Sequence, residues 1–257
     1  MKEGRVEAGG CDIRYVEEGQ GLPLLLVHGN TGSSRWFERT MAVPGCRTVA
    51  LDMPNFCGSG PLPGEPDIDS YADAVAAFSA SLGLDRPVLL GHSLGGAVAI
   101  SLAVRRPAAW RGLVLVDSAA PSGLATPKER HPLIERMRGD RAFLSAALKA
   151  VAPTLKDEAF FGLLVDDALR MAPRAWIGNA EALGRFDYRD RCAAFAAPVL
   201  VAWGRLDAIV TKAMADETFR AFPQARLEVL EGMGHSPMVE DPERFVELVG
   251  AFARSLA

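Results

Sequence analysis

The stretch that most constrains this chain runs from Pro87 to Ala103. Val88-Leu89-Leu90 reads as the end of a buried strand, and Gly91-His92-Ser93-Leu94-Gly95 follows it. Gly96-Ala97-Val98-Ala99-Ile100-Ser101-Leu102-Ala103 then continues as a helix of small residues. A G-x-S-x-G sequence between strand and helix makes a sharp turn that projects the central hydroxyl at the sheet edge, beside the amides of a helix N-terminus. Glycine flanks the serine because a Cβ at either place would crowd the turn or the adjoining helix. The five residues alone also fit a turn serine in a glycine-rich loop; the strand before and the helix after give them their weight.

The rest of the chain repeats that alternation. Two short strands near 4–8 and 12–17 precede buried strands at 22–27, 46–52, 87–92 and 110–116. Helices are expected near 33–41, 69–82 and 94–105. Fully apolar strands alternating with helices indicate a parallel sheet covered on both faces. The alternation stops after Asp117. From 119 to 190 there are helical patterns only, near 127–138, 140–150, 156–171 and 173–184, punctuated by Pro121, Pro127, Pro153 and Pro173. Strands return at 198–203 and 226–230, with helices at 211–221 and 241–255. The expected architecture is an α/β fold: a mostly parallel, doubly wound sheet of about eight strands. Residues 1–118 and 191–257 form its core, and 119–190 form an inserted helical lid.

A chain of 257 residues supports one such domain. A net charge of −4 gives no reason to expect nucleic acid or an anionic membrane as partner. No apolar stretch approaches the ~20 residues of a bilayer span, and Met1-Lys2-Glu3-Gly4-Arg5 opens no apolar leader segment. Cys11, Cys46, Cys57 and Cys192 are scattered, which suits free thiols in a cytoplasmic protein.

A serine nucleophile needs a base, and the base needs an orienting acid. Of the four histidines, His235 lies in the loop Gly232-Met233-Gly234-His235-Ser236 between the last strand and the last helix. It is the expected base. His28, ending a buried strand, reads as structural, His92 should point away from Ser93 by strand alternation, and His131 reads as surface. Asp207, in Trp203-Gly204-Arg205-Leu206-Asp207, is the expected acid, with Asp117 its rival and Asp52 a third candidate. The order Ser93, Asp207, His235 is the one this architecture requires. The oxyanion should be held by the backbone N–H of Leu94 and by that of Asn30, with Thr31 as second choice; the Asn30 side-chain amide is a further possible donor.

Together these residues resemble the α/β-hydrolase superfamily, in its helical-capped serine hydrolase branch. His28-Gly29-Asn30 is similar to the family's His-Gly oxyanion loop. Asp52-Met53-Pro54-Asn55-Phe56-Cys57-Gly58 is similar to its Asp-x-Pro-Gly-x-Gly loop, with Asn55 and Cys57 where glycines are commoner, which puts that loop's backbone angles in question. The resemblance implies acyl transfer to water without metal or organic cofactor, on a small to medium, fairly apolar ester or lactone. Thr31, Phe143, Phe161, Trp176 and Met238 are the expected pocket residues, and the lid arginines Arg170, Arg174 and Arg185 are expected at the surface. Alternatives are carbon–carbon hydrolysis of aromatic ring-fission products and a ligand-binding receptor on the same fold. Ser93, in place of aspartate, argues against dehalogenase and epoxide hydrolase chemistry. The expected partner is a small-molecule substrate, and the expected state a monomer or homodimer.

Overall fold

The computed structural model describes residues 1–256. Strands β1 (Lys2–Ala8), β2 (Cys11–Gly19), β3 (Leu22–Val27) and β4 (Cys46–Leu51) lead into helix α1 (Ile68–Ser81). Strand β5 (Val88–His92) and helix α2 (Leu94–Arg105) carry the G-x-S-x-G turn, and β6 (Gly112–Val116) follows. Helices α3 (His131–Gly139), α4 (Arg141–Val151), α5 (Glu158–Leu169) and α6 (Pro173–Arg185) fill the interval before β7 (Val199–Gly204). The chain closes with α7 (Lys212–Ala221), β8 (Ala225–Leu230), α8 (Pro237–Glu240) and α9 (Pro242–Arg254).

One sheet of eight strands results, in the order β1-β2-β4-β3-β5-β6-β7-β8. The β1–β2 and β2–β4 pairs are antiparallel and the remaining pairs are parallel. All residues of β5, β6 and β7 are buried, as strands covered on both faces must be. The residues between 33 and 41 form a 3-10 helix over Ser34–Thr40 rather than an α-helix. Several helices start where a carboxylate accepts a free first-turn amide: Asp140 from Phe143 N at 3.0 Å, Asp157 from Phe160 N at 3.0 Å, and Asp241 from Arg244 N at 3.1 Å. Pro242 adds a fixed φ at the start of α9.

Parallel strands share one carboxyl edge, and that edge collects the chemistry. The loops after β3, β5, β6, β7 and β8 carry Asn30, Ser93, Asp117, Asp207 and His235 respectively. The four helices between β6 and β7 lie over it. They are tied to the core by Ser33 Oγ and Arg35 Nε, both donating to Asp167 of α5 at 2.8 Å.

Candidate active site

Ser93 adopts φ 54°, ψ −117°, a conformation that strains any residue with a Cβ. The strain is enforced by close packing. A Cβ on Gly91 would lie 2.3 Å from the Gly95 carbonyl oxygen, and one on Gly95 would lie 2.4 Å from the carbonyl oxygens of Val27 and His28. Strand β5, helix α2 and the end of β3 therefore meet backbone to backbone, and the serine is the residue pushed out. A Cβ on Gly29 would lie 2.9 Å from both Ser93 Cβ and His92 Nδ1, so the loop after β3 also runs directly beside the turn. The backbone amides of Asn30 and Leu94 enter no turn or loop hydrogen bond among the described residues.

Across the same edge, the Nδ1 of His235 lies 2.7 Å from Asp207 Oδ2. The Asp207 side chain is fully buried and that of His235 nearly so. Burial opposes ionisation of Asp207, but the hydrogen bond and charge of His235 outweigh it and hold the carboxyl below its ordinary value. Asp207 Oδ1 accepts the amides of Ile209 at 2.6 Å and Val210 at 3.0 Å, which fixes the acid in its loop. With Nδ1 engaged, Nε2 is the imidazole nitrogen left for chemistry. Ser93 and His235 line the same cavity.

The other histidines divide as their surroundings dictate. His28 Nδ1–H donates to the Gly29 carbonyl at 2.8 Å and its Nε2 accepts the Met53 amide at 3.0 Å; burial lowers its pKa. His92 Nε2–H donates to the backbone carbonyl of His235 at 2.8 Å, and burial pushes its pKa down to about 3, so it is a neutral tether on the histidine loop. A second tether is Glu240. Its carboxylate accepts the amides of Gly234 at 2.9 Å and Ser236 at 3.0 Å, on either side of His235, and the Thr154 hydroxyl at 2.6 Å from the end of α4. Neither tether was legible from the motif; for His92 adjacency to Ser93 was the only signal.

Asp117, the rival acid, is also at the site. Its φ is 41°; Oδ1 accepts the Gly204 amide at 2.8 Å, while Oδ2 is buried with no hydrogen-bond partner among the described residues. Asp117, Asp207 and His235 each bring an atom within 4.8 Å of the others. Burial pushes the Asp117 carboxyl well above its ordinary range, and the charge of Asp207 pushes the same way. Asp52 instead accepts Ser34 N at 2.6 Å and pairs with Arg14 at 3.1 Å, away from His235.

The cavity above Ser93 holds about 560 Å³ and is mostly apolar. Thr31 and Trp176 line it, whereas Phe143, Phe161 and Met238 are not among its lining residues. Helix phase explains the first. The cavity face of α4 is Leu144, Ala147, Leu148 and Val151, an i, i+3, i+4, i+7 stripe, which turns Phe143 sideways under Arg136, 4.2 Å from ring centroid to guanidinium carbon. Phe161 is buried on α5, which supplies no lining residue, with the Lys149 ammonium 4.8 Å over its ring. Met238 is fully buried in the core behind the histidine loop. Helix α3 supplies Leu133, Ile134 and Met137, and Arg130 just before it adds a cation. Arg170, Arg174 and Arg185 are exposed; from the surface Arg174 and Arg185 reach Asn55 and the Pro66 carbonyl, and Arg170 pairs loosely with Asp167. Asn55 and Cys57 adopt φ of 73° and 35°, so the departing residues take the left-handed angles that glycine would.

The chain is 30% identical to AB hydrolase superfamily protein YisY of Bacillus subtilis (strain 168), over 94% of this chain and 95% of that protein. It is 32% identical to a pimeloyl-[acyl-carrier protein] methyl ester esterase of Neisseria meningitidis (serogroup C), over 95% of this chain and all of that protein. Among solved structures it superimposes on the esterase RhEst1 of Rhodococcus sp. with a TM-score of 0.85 and 28% identity, covering all of this chain and 99% of the other. The profile of the Alpha/beta hydrolase family matches residues 24–248. With that match running from within β3 to within α9, across β4 to β8, the four helices between β6 and β7 and the histidine loop, the chain belongs to the alpha/beta hydrolase family.

Proposed function

We propose that this α/β hydrolase cleaves the carboxylic ester or lactone of a small to medium, fairly apolar substrate through an acyl-enzyme on Ser93. The observation that carries the reading is the buried His235–Asp207 pair facing the same apolar cavity as the strained Ser93. His235 Nε2 takes the Ser93 proton as Oγ attacks the carbonyl carbon. Asp207 fixes the imidazole tautomer and stabilises the imidazolium. The amides of Leu94 and Asn30 hold the oxyanion. The leaving alcohol departs with the proton from His235, and water activated by the same nitrogen then hydrolyses the acyl-enzyme. No step draws on a metal or organic cofactor. The likeness to esterases at 28% and 32% identity supports the reaction class.

The test is hydrolysis of p-nitrophenyl esters from acetate to dodecanoate, with Ser93→Ala alongside. Turnover that disappears in the variant supports the reading, and the optimum chain length gauges the cavity. Turnover undiminished in Ser93→Ala overturns it. A second reading, carbon–carbon hydrolysis of ring-fission acids, is favoured by Arg130, a cation on an otherwise apolar wall that could pair with a substrate carboxylate. Turnover of a vinylogous diketone acid, lost in Arg130→Ala, would select it.

A further inference from the structure

Five side chains form a continuous hydrogen-bond chain from the edge of the lid to the loop beside Ser93. Arg174 Nη2 donates to Asn55 Oδ1 at 3.3 Å. Asn55 Nδ2 donates to the Tyr71 hydroxyl at 3.0 Å, and that hydroxyl donates to Asn179 Oδ1 at 2.9 Å. Asn179 Nδ2 donates to Asn30 Oδ1 at 2.8 Å. Every donor points the same way, and the first is a cation. Tyr71 and Asn179 are fully buried, and Asn55 is nearly so. Burial raises the pKa of Tyr71 to about 12, which keeps its hydroxyl a donor.

The direction of the chain fixes its end. With Oδ1 of Asn30 occupied by Asn179, the free group of that amide is Nδ2–H, on a residue that lines the cavity holding Ser93. Buried polar networks hold their members in one geometry, and a chain of aligned donors polarises its last member. Arg174 and Asn179 belong to α6 in the lid, Tyr71 to α1 and Asn55 to the loop after β4, so the lid takes part in aiming a group of the core.

We propose that the Asn30 side-chain Nδ2–H is a third donor to the oxygen that becomes negative when Ser93 attacks, and that Tyr71 and Asn179 are the positioning residues that aim it. The inference rests on the acyl-enzyme reading above. An amide so aimed meets the oxyanion without reorganising, which is where such a donor acts most strongly. Tyr71 and Asn179 do not line the cavity, so their effect on turnover must pass through Asn30.

The experiment is a double-mutant cycle on p-nitrophenyl butyrate hydrolysis, with kcat and KM measured separately. Asn30→Ala should lower kcat by about 10²-fold or more, the scale of a lost oxyanion donor, with KM nearly unchanged. Tyr71→Phe should lower kcat by about three- to tenfold through loss of polarisation and aim. In the Asn30→Ala background, Tyr71→Phe should have no further effect, because both changes act at the same donor. Asn179→Ala provides an independent break in the chain and should show the same non-additivity. Effects that multiply in the double variants, or an Asn30→Ala change confined to KM, overturn the relay while leaving the acyl-enzyme intact. Full activity in Ser93→Ala would overturn the acyl-enzyme reading and the relay with it.

Discussion

Replacing Asp117 by asparagine tests how two carboxyl groups share one base. Asp117, Asp207 and His235 lie within 4.8 Å of one another. If Asp117 were ionised, its charge would favour the imidazolium by about 3.5 kcal/mol at that distance and an effective dielectric near 20. Removing that charge would then move the acid limb of the kcat/KM profile down by about 2.5 pH units, at about 1.36 kcal/mol per unit. The account holds that Asp117 is a neutral acid. Burial and the Asp207 charge disfavour its ionisation, Glu240 adds to the push, and the one opposing contact is the Gly204 amide. Asparagine is then nearly isosteric and equally neutral, so the limb should stay within about half a unit, or about 0.7 kcal/mol. The assay is p-nitrophenyl butyrate hydrolysis from pH 4 to 9. A fall of the limb by two units would refute the neutral acid. Stability gives a second readout. A carboxyl whose folded pKa is raised contributes stability that is complete below its unfolded value and is lost as pH rises through the folded value. The variant's melting temperature should therefore gain on wild type as pH rises from 4 to 8, and a gap that closes with pH would contradict the assignment.

Other expectations follow from the same geometry. Asp207→Asn should reduce kcat by about 10⁴-fold with the fold intact by circular dichroism, because the imidazole loses its tautomer; wild-type turnover would transfer the acid's role to Asp117. Ser93→Gly relieves a strained φ, ψ pair costing about 1–3 kcal/mol, less about 0.5–1 kcal/mol for the freer glycine. Calorimetry should show inactive protein melting up to about 10 °C higher; a lower melting temperature would deny the strain. Glu240→Ala removes the acceptor of two amides flanking His235 and of Thr154. It should lower kcat more than it raises KM, and a pure KM effect would assign Glu240 to the lid alone. Trp176→Ala opens one wall of the cavity. It should shift the acyl-chain optimum to longer esters, and an unchanged optimum would remove Trp176 from the acyl site.

What the sequence disclosed depended on how local the determinant was. Strand β3 and helix α2 were readable to the residue, because an unbroken apolar run and a run of small residues leave few alternatives. The loops bearing Ser93 and Asp207 were legible because each directly follows such a strand, whereas the His235 loop follows β8, where Arg226 and Glu228 alternate with apolar residues. Phe143 was misplaced because hydrophobicity does not give rotational phase: one residue of shift on α4 turned it from the cavity to Arg136. Helix α8, four residues over Pro237–Glu240, is too short to carry a period and was not expected. The bond from Asn179 to Asn30 joins residues 149 positions apart, and polar side chains carry no periodic signature, so only the folded chain discloses that relay.

The central claim is a covalent intermediate on Ser93, and intact-protein mass spectrometry tests it most directly. Wild-type protein treated with a p-nitrophenyl alkylphosphonate should gain one phosphonyl group, released p-nitrophenol should match it one for one, and peptide mapping should find the group on Ser93. Ser93→Ala should gain none, and Asp207→Asn should react far more slowly. A modification at another residue, or inactivation that leaves Ser93 unmodified, would contradict the account.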